Sequence, residues 1–80
     1  MPNTLWQMRR GDCCVVVGFD PALREAYRRR LIELGFRPGV SISCVVAPSF
    51  GAPKLFQVAS SVFSLERDLA QRVLINEARP

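Results

Sequence analysis

Residues 30–39 read Arg-Leu-Ile-Glu-Leu-Gly-Phe-Arg-Pro-Gly, and this stretch decides the fold. Its first half ends a helix. Gly35 suits the left-handed residue that closes a helix, and Phe36 can then reach back toward Leu31, the contact that accompanies a Schellman cap. Pro38-Gly39 signals a type II turn, because glycine supplies the positive φ at the third position. The chain is therefore expected to leave a helix at Gly35, reverse at 38–39 and enter a strand.

Upstream, the spacing predicts a helix over 20–35. Asp20 is a good N-cap and Pro21 suits the first helical position. At roughly 100° per residue, Leu23, Tyr27, Leu31 and Leu34 fall within about 80° of one another and form a core-facing stripe. Arg24, Arg28 and Arg29 lie off that stripe, and Arg30 sits beside it, where its stem can pack. Glu25 is placed to pair with Arg29 four residues on. Before the helix, residues 13–19 (CCVVVGF) read as a valine-rich strand with a bulge or bend at Gly18. Residues 1–12 read as a short turn or 3₁₀ segment leading to Gly11, with Leu5 and Met8 at a spacing of three.

Downstream, Val40, Ile42, Cys44 and Val46 alternate with Ser41 and Ser43, the pattern of a half-buried strand over 40–47. Pro48 to Pro53 is a loop bounded by two prolines. Residues 54–59 form the next strand, with Phe56 and Val58 on one face. Ser60-Ser61 is read as a tight turn into a strand over 62–65. A helical turn from Ser64 to Ala70, with Ser64 as its cap, precedes a last strand at 73–76. The order strand, helix and four further strands, with short spacings, argues for a mainly β, mostly antiparallel barrel or sandwich with one inserted α-helix after the first strand.

Composition bounds the function. Eighty residues make one small domain, here residues 1–80. Apolar residues are 49% and charged residues 22% of the chain, a globular profile. The longest apolar run, Cys13–Phe19, is far short of the roughly 20 residues of a spanning helix, and residues 1–12 do not resemble a secretory signal. A cytoplasmic location without membrane insertion is expected. Histidine is absent, which removes the usual general base and the commonest metal ligand. No phosphate-binding loop, CxxC pair or catalytic constellation is present, so neither an enzyme nor a cofactor is expected. The net charge is +4, carried by ten arginines and Lys54. Alternation turns Cys14 inward and Cys13 outward, and Cys44 falls on the buried face of its strand. Asp12 and Cys13 could offer two ligands to a zinc ion, an adventitious site at most, since any other ligands would have to come from a second chain.

In this order, these segments resemble the FeoA family, small cytoplasmic SH3-like barrels encoded beside the FeoB ferrous iron transporter. Arg29-Arg30-Leu31, Leu34-Gly35 and Pro38-Gly39 match the family's most recognisable segment. Leu5, Met8 and Gly11 look like its opening, Cys14-Val15-Val16 its first strand, and Pro48, Gly51 and Pro53 its proline-bounded loop. Leu65, Ala70 and Val73 look like its closing turn and strand. Ala52 stands in place of the usual aspartate before Pro53, and Ser60-Ser61 in place of a glycine-containing turn. Cys13, Trp6 and Leu74 occupy positions that tend to be polar in the family.

The resemblance implies an SH3-like antiparallel barrel and an accessory role in ferrous iron uptake, with a FeoB-like membrane transporter as partner, bound at its cytoplasmic GTP-binding domain. The residues themselves offer two surfaces for such a partner. One is the basic helix face, Arg24, Arg28 and Arg29. The other comprises apolar residues at outward positions, Trp6, Val15, Ile32, Val45, Phe50, Leu55 and Leu74, among which Phe50 at a loop tip stands out. The candidate partner-binding set is Arg24, Arg28, Arg29, Ile32, Phe50 and Leu55, with Gly35, Pro38 and Gly39 as structural turn residues. A weak homodimer is compatible with the same features. The rival reading is a small-barrel protein- or nucleic-acid-binding module similar to the C-terminal domain of iron-dependent repressors. Nucleic acid is not expected as a partner, because it would want exposed aromatics among the basic residues, and Tyr27, Phe36, Phe56 and Phe63 are all placed in the core.

Overall fold

A computed structural model describes residues 3–76. It contains six antiparallel strands and one main helix. In chain order these are β1 (Asn3–Thr4), a 3₁₀ turn (Leu5–Gln7), β2 (Cys13–Phe19), α1 (Glu25–Leu34), β3 (Ser41–Val46), β4 (Lys54–Val58), β5 (Ser61–Leu65), a short α2 (Arg67–Ala70) and β6 (Val73–Ile75). The strands form one sheet in the order β1-β6-β2-β3-β4-β5, whose ladder is not closed. The expected mainly β fold with a helix after its first long strand is found. The sequence reading missed the two-residue β1, which pairs with β6.

The deciding stretch behaves as its residues require. Gly35 has φ +111° and closes α1, and the Phe36 N–H donates to the Leu31 carbonyl at 2.9 Å, the six-to-one bond of a Schellman cap. Phe36 is fully buried, which contributes roughly 1.5–3 kcal/mol by removal of its ring from water. The Val40 N–H donates to the Arg37 carbonyl at 3.1 Å and Gly39 has φ +91°, so 37–40 is the expected turn. The Gly39 N–H donates to the Val16 carbonyl at 2.7 Å, which ties this turn to β2.

The start of the helix differs. α1 begins at Glu25, not in the Asp20 region, and Arg24 is its N-cap. Asp20 Oδ1 instead accepts the Ala22 N–H at 2.8 Å in a local turn, and its Oδ2 accepts Arg72 Nη1 at 2.9 Å. The carboxylate serves a turn and a long-range ion pair, so it is not available as a helix cap. Leu31 alone of the four stripe residues is fully buried. Leu23 and Leu34 pack on the core from its margin, and Tyr27 is exposed. Glu25 pairs with Arg28, not Arg29, in a two-bonded contact of 2.9 and 2.7 Å.

The strands follow their alternation. Cys14 and Val16 of β2, Ile42 and Cys44 of β3, and Phe56 and Val58 of β4 are buried. The register of β2 against β6 shifts between Val16 and Gly18, the bulge expected at that glycine. A second shift lies between Cys44 and Val46, and it leaves Val46 exposed where strict alternation would bury it. Ser64 is not a cap: it lies in β5 opposite Leu55, and the cap of α2 is Glu66. The hairpin turn is Ala59-Ser60, one residue earlier than expected, with Ala59 at φ +54° and the strand resuming at Ser61. Phe63 is half-buried, its ring 6.0 Å from that of Phe36.

Candidate docking surface

β3 and β4 form a hairpin whose tip projects from one end of the sheet. At that tip Phe50 and Gly51 both take positive φ, +64° and +75°. Two consecutive left-handed residues make the chain reverse sharply. The second falls on a glycine, but the first falls on a bulky aromatic, which that region disfavours. The Phe50 side chain is fully exposed, with a relative exposure of 105%. Val45 and Val46 are exposed on the arm below it, and Leu55 faces Val46 across the hairpin and is half-buried. Of the seven apolar residues expected outside, Val45 and Phe50 are exposed, whereas Trp6, Val15, Ile32, Leu55 and Leu74 are half-buried. Val17, Tyr27, Val46 and Val62 are further exposed apolar side chains outside that set of seven.

The hairpin is braced from below. Lys54 Nζ donates to the carbonyls of Trp6 and Met8, the second at 2.8 Å, and lies 4.7 Å from the centre of the Trp6 ring. The chain's single lysine therefore satisfies the carbonyls at the end of the 3₁₀ turn and joins the N-terminal segment to β4. Nothing in the local sequence announces this, because its acceptors are backbone atoms some 46–48 residues away.

Two clefts flank α2. One, of about 290 Å³, is lined by Gly51 and Pro53 of the hairpin loop and by Glu66, Arg67 and Asp68. The other, of about 550 Å³, lies between α2 and the start of α1. Leu23, Arg24, Tyr27, Leu69 and Arg72 line it, together with the same Glu66 and Asp68. Arg24 and Tyr27 are thus brought to the larger cleft, and the hairpin loop lines the smaller one. Arg28, Arg29 and Ile32 do not line it. Arg28 is engaged by Glu25, Arg29 is exposed, and Ile32 is half-buried with its carbonyl accepting Arg37 Nε at 3.3 Å.

The cysteines are free: Cys13 exposed, Cys14 and Cys44 buried. Burial pushes the Cys14 thiol up to about 12, with the neighbouring Cys13, Cys44 and Asp12 adding to the shift. Burial also raises Cys44. Cys13 Sγ lies 3.6 Å from Ser43 Oγ, and Asp12 Oδ2 accepts the Arg9 N–H at 2.9 Å. Among the described residues no group of three or more His, Cys, Asp or Glu side chains could hold a metal ion, so Asp12 and Cys13 stand as two ligands without a third. No described helix is long and apolar enough to cross a membrane.

The FeoA domain family model matches residues 3–77. The chain belongs to the FeoA family. No curated protein matches it. Among solved structures, a FeoA described as an iron uptake regulatory protein superposes with a TM-score of 0.80 at 26% identity, covering 95% of this chain and 96% of that one. The zinc-complexed FeoA of Stenotrophomonas maltophilia, described as a prokaryotic SH3 domain protein and a candidate ferrous iron transport activating factor, gives a TM-score of 0.82 at 34% identity over 92% and 89% of the two chains. A manganese-dependent transcriptional repressor gives a TM-score of 0.81 at 19% identity, with 94% of this chain matching 42% of the repressor, a likeness of fold alone. The expected SH3-like architecture of this FeoA domain, with one main helix, is therefore established.

Proposed function

We propose that this FeoA protein is a cytoplasmic, non-enzymatic accessory factor of ferrous iron uptake that docks on the GTP-binding domain of a FeoB-like membrane transporter, with the Phe50 hairpin as its anchor. Family membership and the description of the Stenotrophomonas FeoA as a candidate ferrous iron transport activating factor support the pathway. One observation carries the surface: Phe50 sits in a left-handed conformation with its whole side chain in water. Folding gains nothing from that arrangement. A left-handed L residue costs roughly 1–2 kcal/mol, and an exposed ring contributes no burial. Strain held at a fully displayed aromatic is what an interface anchor looks like before its partner arrives. Leu55 and the exposed Val45 and Val46 extend the apolar part of the surface. Arg24 at the start of α1 and Arg28 and Arg29 within it form a separate basic face, where Arg28 enters already paired with Glu25, and Ile32 adds a half-buried apolar side chain beside them.

The test sets stability against binding. Phe50→Asn places a residue that tolerates left-handed backbone at the tip, so it should raise the melting temperature while weakening capture by the detergent-solubilised transporter at least about tenfold. Ala59→Gly relieves a similar φ of +54° in the other hairpin, away from the proposed surface. It should stabilise the fold and leave binding unchanged. Undiminished transporter binding by Phe50→Asn would reject the anchor.

A further inference from the structure

We infer that Met8, Cys14 and Cys44 form a buried three-sulfur site for a soft monovalent metal ion, Cu(I) or its surrogate Ag(I). The Cys14 thiol donates to the Met8 thioether, with Sγ 3.4 Å from Sδ. The ladder brings Cys44 beside them. Cys14 stands opposite Ile42, and the Cys44 N–H donates to the Asp12 carbonyl at 2.9 Å. Cys14 and Cys44 are therefore diagonal neighbours on the inward face of β2 and β3. All three sulfur residues are buried, and among the described residues no polar or charged side chain is buried with them. Cys13 turns to the opposite face of β2, where it is exposed, so it does not join the group.

The donor set chooses the ion. Two thiolates and a thioether are soft ligands, which select Cu(I), whereas ferrous iron favours imidazole and carboxylate. Zinc wants four strong ligands, and here the third is a thioether and there is no fourth. The spacing suits a metal better than a disulfide. Diagonal neighbours in a ladder have Cα atoms roughly 7–8 Å apart, beyond the roughly 4.4–6.8 Å of a disulfide, but two metal–sulfur bonds of about 2.3 Å span the difference. Binding releases the two thiol protons to solvent, and copper keeps its oxidation state. Two thiolates around a monovalent ion leave one net negative charge. Lys54 answers it: Nζ donates to the Met8 carbonyl at 2.8 Å, and its positive charge already acts on Cys44. The ion enters at the 9–12 turn, which closes this end of the ladder through the Gly11 N–H and the Cys44 carbonyl, 2.9 Å apart. Once bound, it clips the N-terminal segment, β2 and β3 together, so it stabilises the fold by mass action.

The test is anaerobic titration of the full chain with Cu(I) against a colorimetric Cu(I) chelator. The wild-type chain should retain one equivalent, show the near-ultraviolet charge-transfer band of a copper thiolate, and melt at a higher temperature. X-ray absorption should find copper surrounded by sulfur alone. Ferrous iron under the same conditions should produce none of these. Cys13→Ser should bind as wild type. Cys14→Ala and Cys44→Ala remove a direct ligand; loss of an outer partner alone costs about 10–100-fold in metal affinity, so each should weaken binding at least about a hundredfold. Met8→Leu conserves core volume and so keeps the fold, and it should weaken binding about tenfold, which tests the site even where a cysteine variant is unstable. Melting without metal shows which variants are folded. The inference is overturned by a wild-type chain that yields all its copper to the chelator, by loss of binding in Cys13→Ser, or by undiminished binding in Met8→Leu or in a folded Cys14→Ala or Cys44→Ala chain. A chain that forms a Cys14–Cys44 disulfide instead of holding copper overturns it as well.

Discussion

Gly35 is where helix, turn and sheet meet, and replacing it with alanine tests the reasoning that built the fold. Two costs add. The backbone at φ +111° is one that an L residue rarely adopts, which costs roughly 1–2 kcal/mol. An added Cβ would also lie 3.0 Å from Val58 Cγ1 and 3.9 Å from Val58 Cβ, with Val58 itself buried in β4. Crowding a packed core in this way costs roughly 1–3 kcal/mol. Gly35→Ala should therefore destabilise the domain by about 2–5 kcal/mol, against a total of roughly 4–12 kcal/mol for a chain of this length. Gly39→Ala separates the two costs. It has φ +91° but nothing within 4 Å of its Cβ position, so only the backbone cost applies. Urea unfolding followed by Trp6 fluorescence measures both. If Gly35→Ala costs no more than Gly39→Ala, the contact with Val58 is not a constraint. If both cost less than about 0.5 kcal/mol, the left-handed cap itself is wrong. In a Val58→Ala background the penalty at Gly35 should shrink by about 1 kcal/mol, because the crowding atom is gone.

Two further outcomes follow from the geometry. Thiol labelling of the folded chain should modify exposed Cys13 first, while Cys14, held near 12 by burial, and Cys44 react only on unfolding; early labelling of Cys14 would put the β2 register out by one. Asp20 is held below the usual carboxylate range, first by the Ala22 N–H and then by Arg72, so its folded value is depressed. Its contribution is therefore present above the unfolded value near 3.8 and is lost as pH falls through the folded one. Asp20→Asn keeps an acceptor for Ala22 and should flatten the acid limb of the stability profile; an unchanged limb would remove the Arg72 pair from the account.

Legibility in the sequence followed the range of the interactions. The Gly35 cap, the 37–40 turn and the Gly18 bulge depend on a residue's own φ and a few neighbours, and each was readable. The helix start was not. Asp20-Pro21 is as good a signal for a cap as for a turn. Arg72, 52 positions away, takes one of the Asp20 carboxylate oxygens. Ser64 failed for the same reason: its capping chemistry is local, but the ladder to Leu55 is not, and the ladder prevailed. Tyr27 shares the angular stripe of Leu31, yet the short α2 leaves a cleft where a larger element would have covered it. Phe50 could be singled out as a loop-tip aromatic, but its positive φ, which carries the functional argument, appears only in three dimensions.

The basic surface is narrower than the charge count suggests. Eleven cationic side chains are present, but several are occupied within the fold. Arg28 is bound by Glu25, Arg72 by Asp20, Arg37 caps the Ile32 carbonyl, and Lys54 is committed to Trp6 and Met8. A cation that has already traded its hydration for an intramolecular partner gains less from an acidic surface, since that pairing must loosen first. The pairs of Arg28 and Arg72 are both partly exposed, so they reduce the local field more than they add stability. Among the described residues, electrostatic attraction to a partner then falls mainly to Arg9, Arg10, Arg24, Arg29, Arg30 and Arg67, which belong to the 9–10 turn, the α1 cap and the two helices. Such a distribution favours encounter over tight docking. In the proposed docking mode affinity comes from the apolar hairpin tip, so substituting Arg24 or Arg29 should slow association with the transporter, whereas removing the Phe50 ring should speed release.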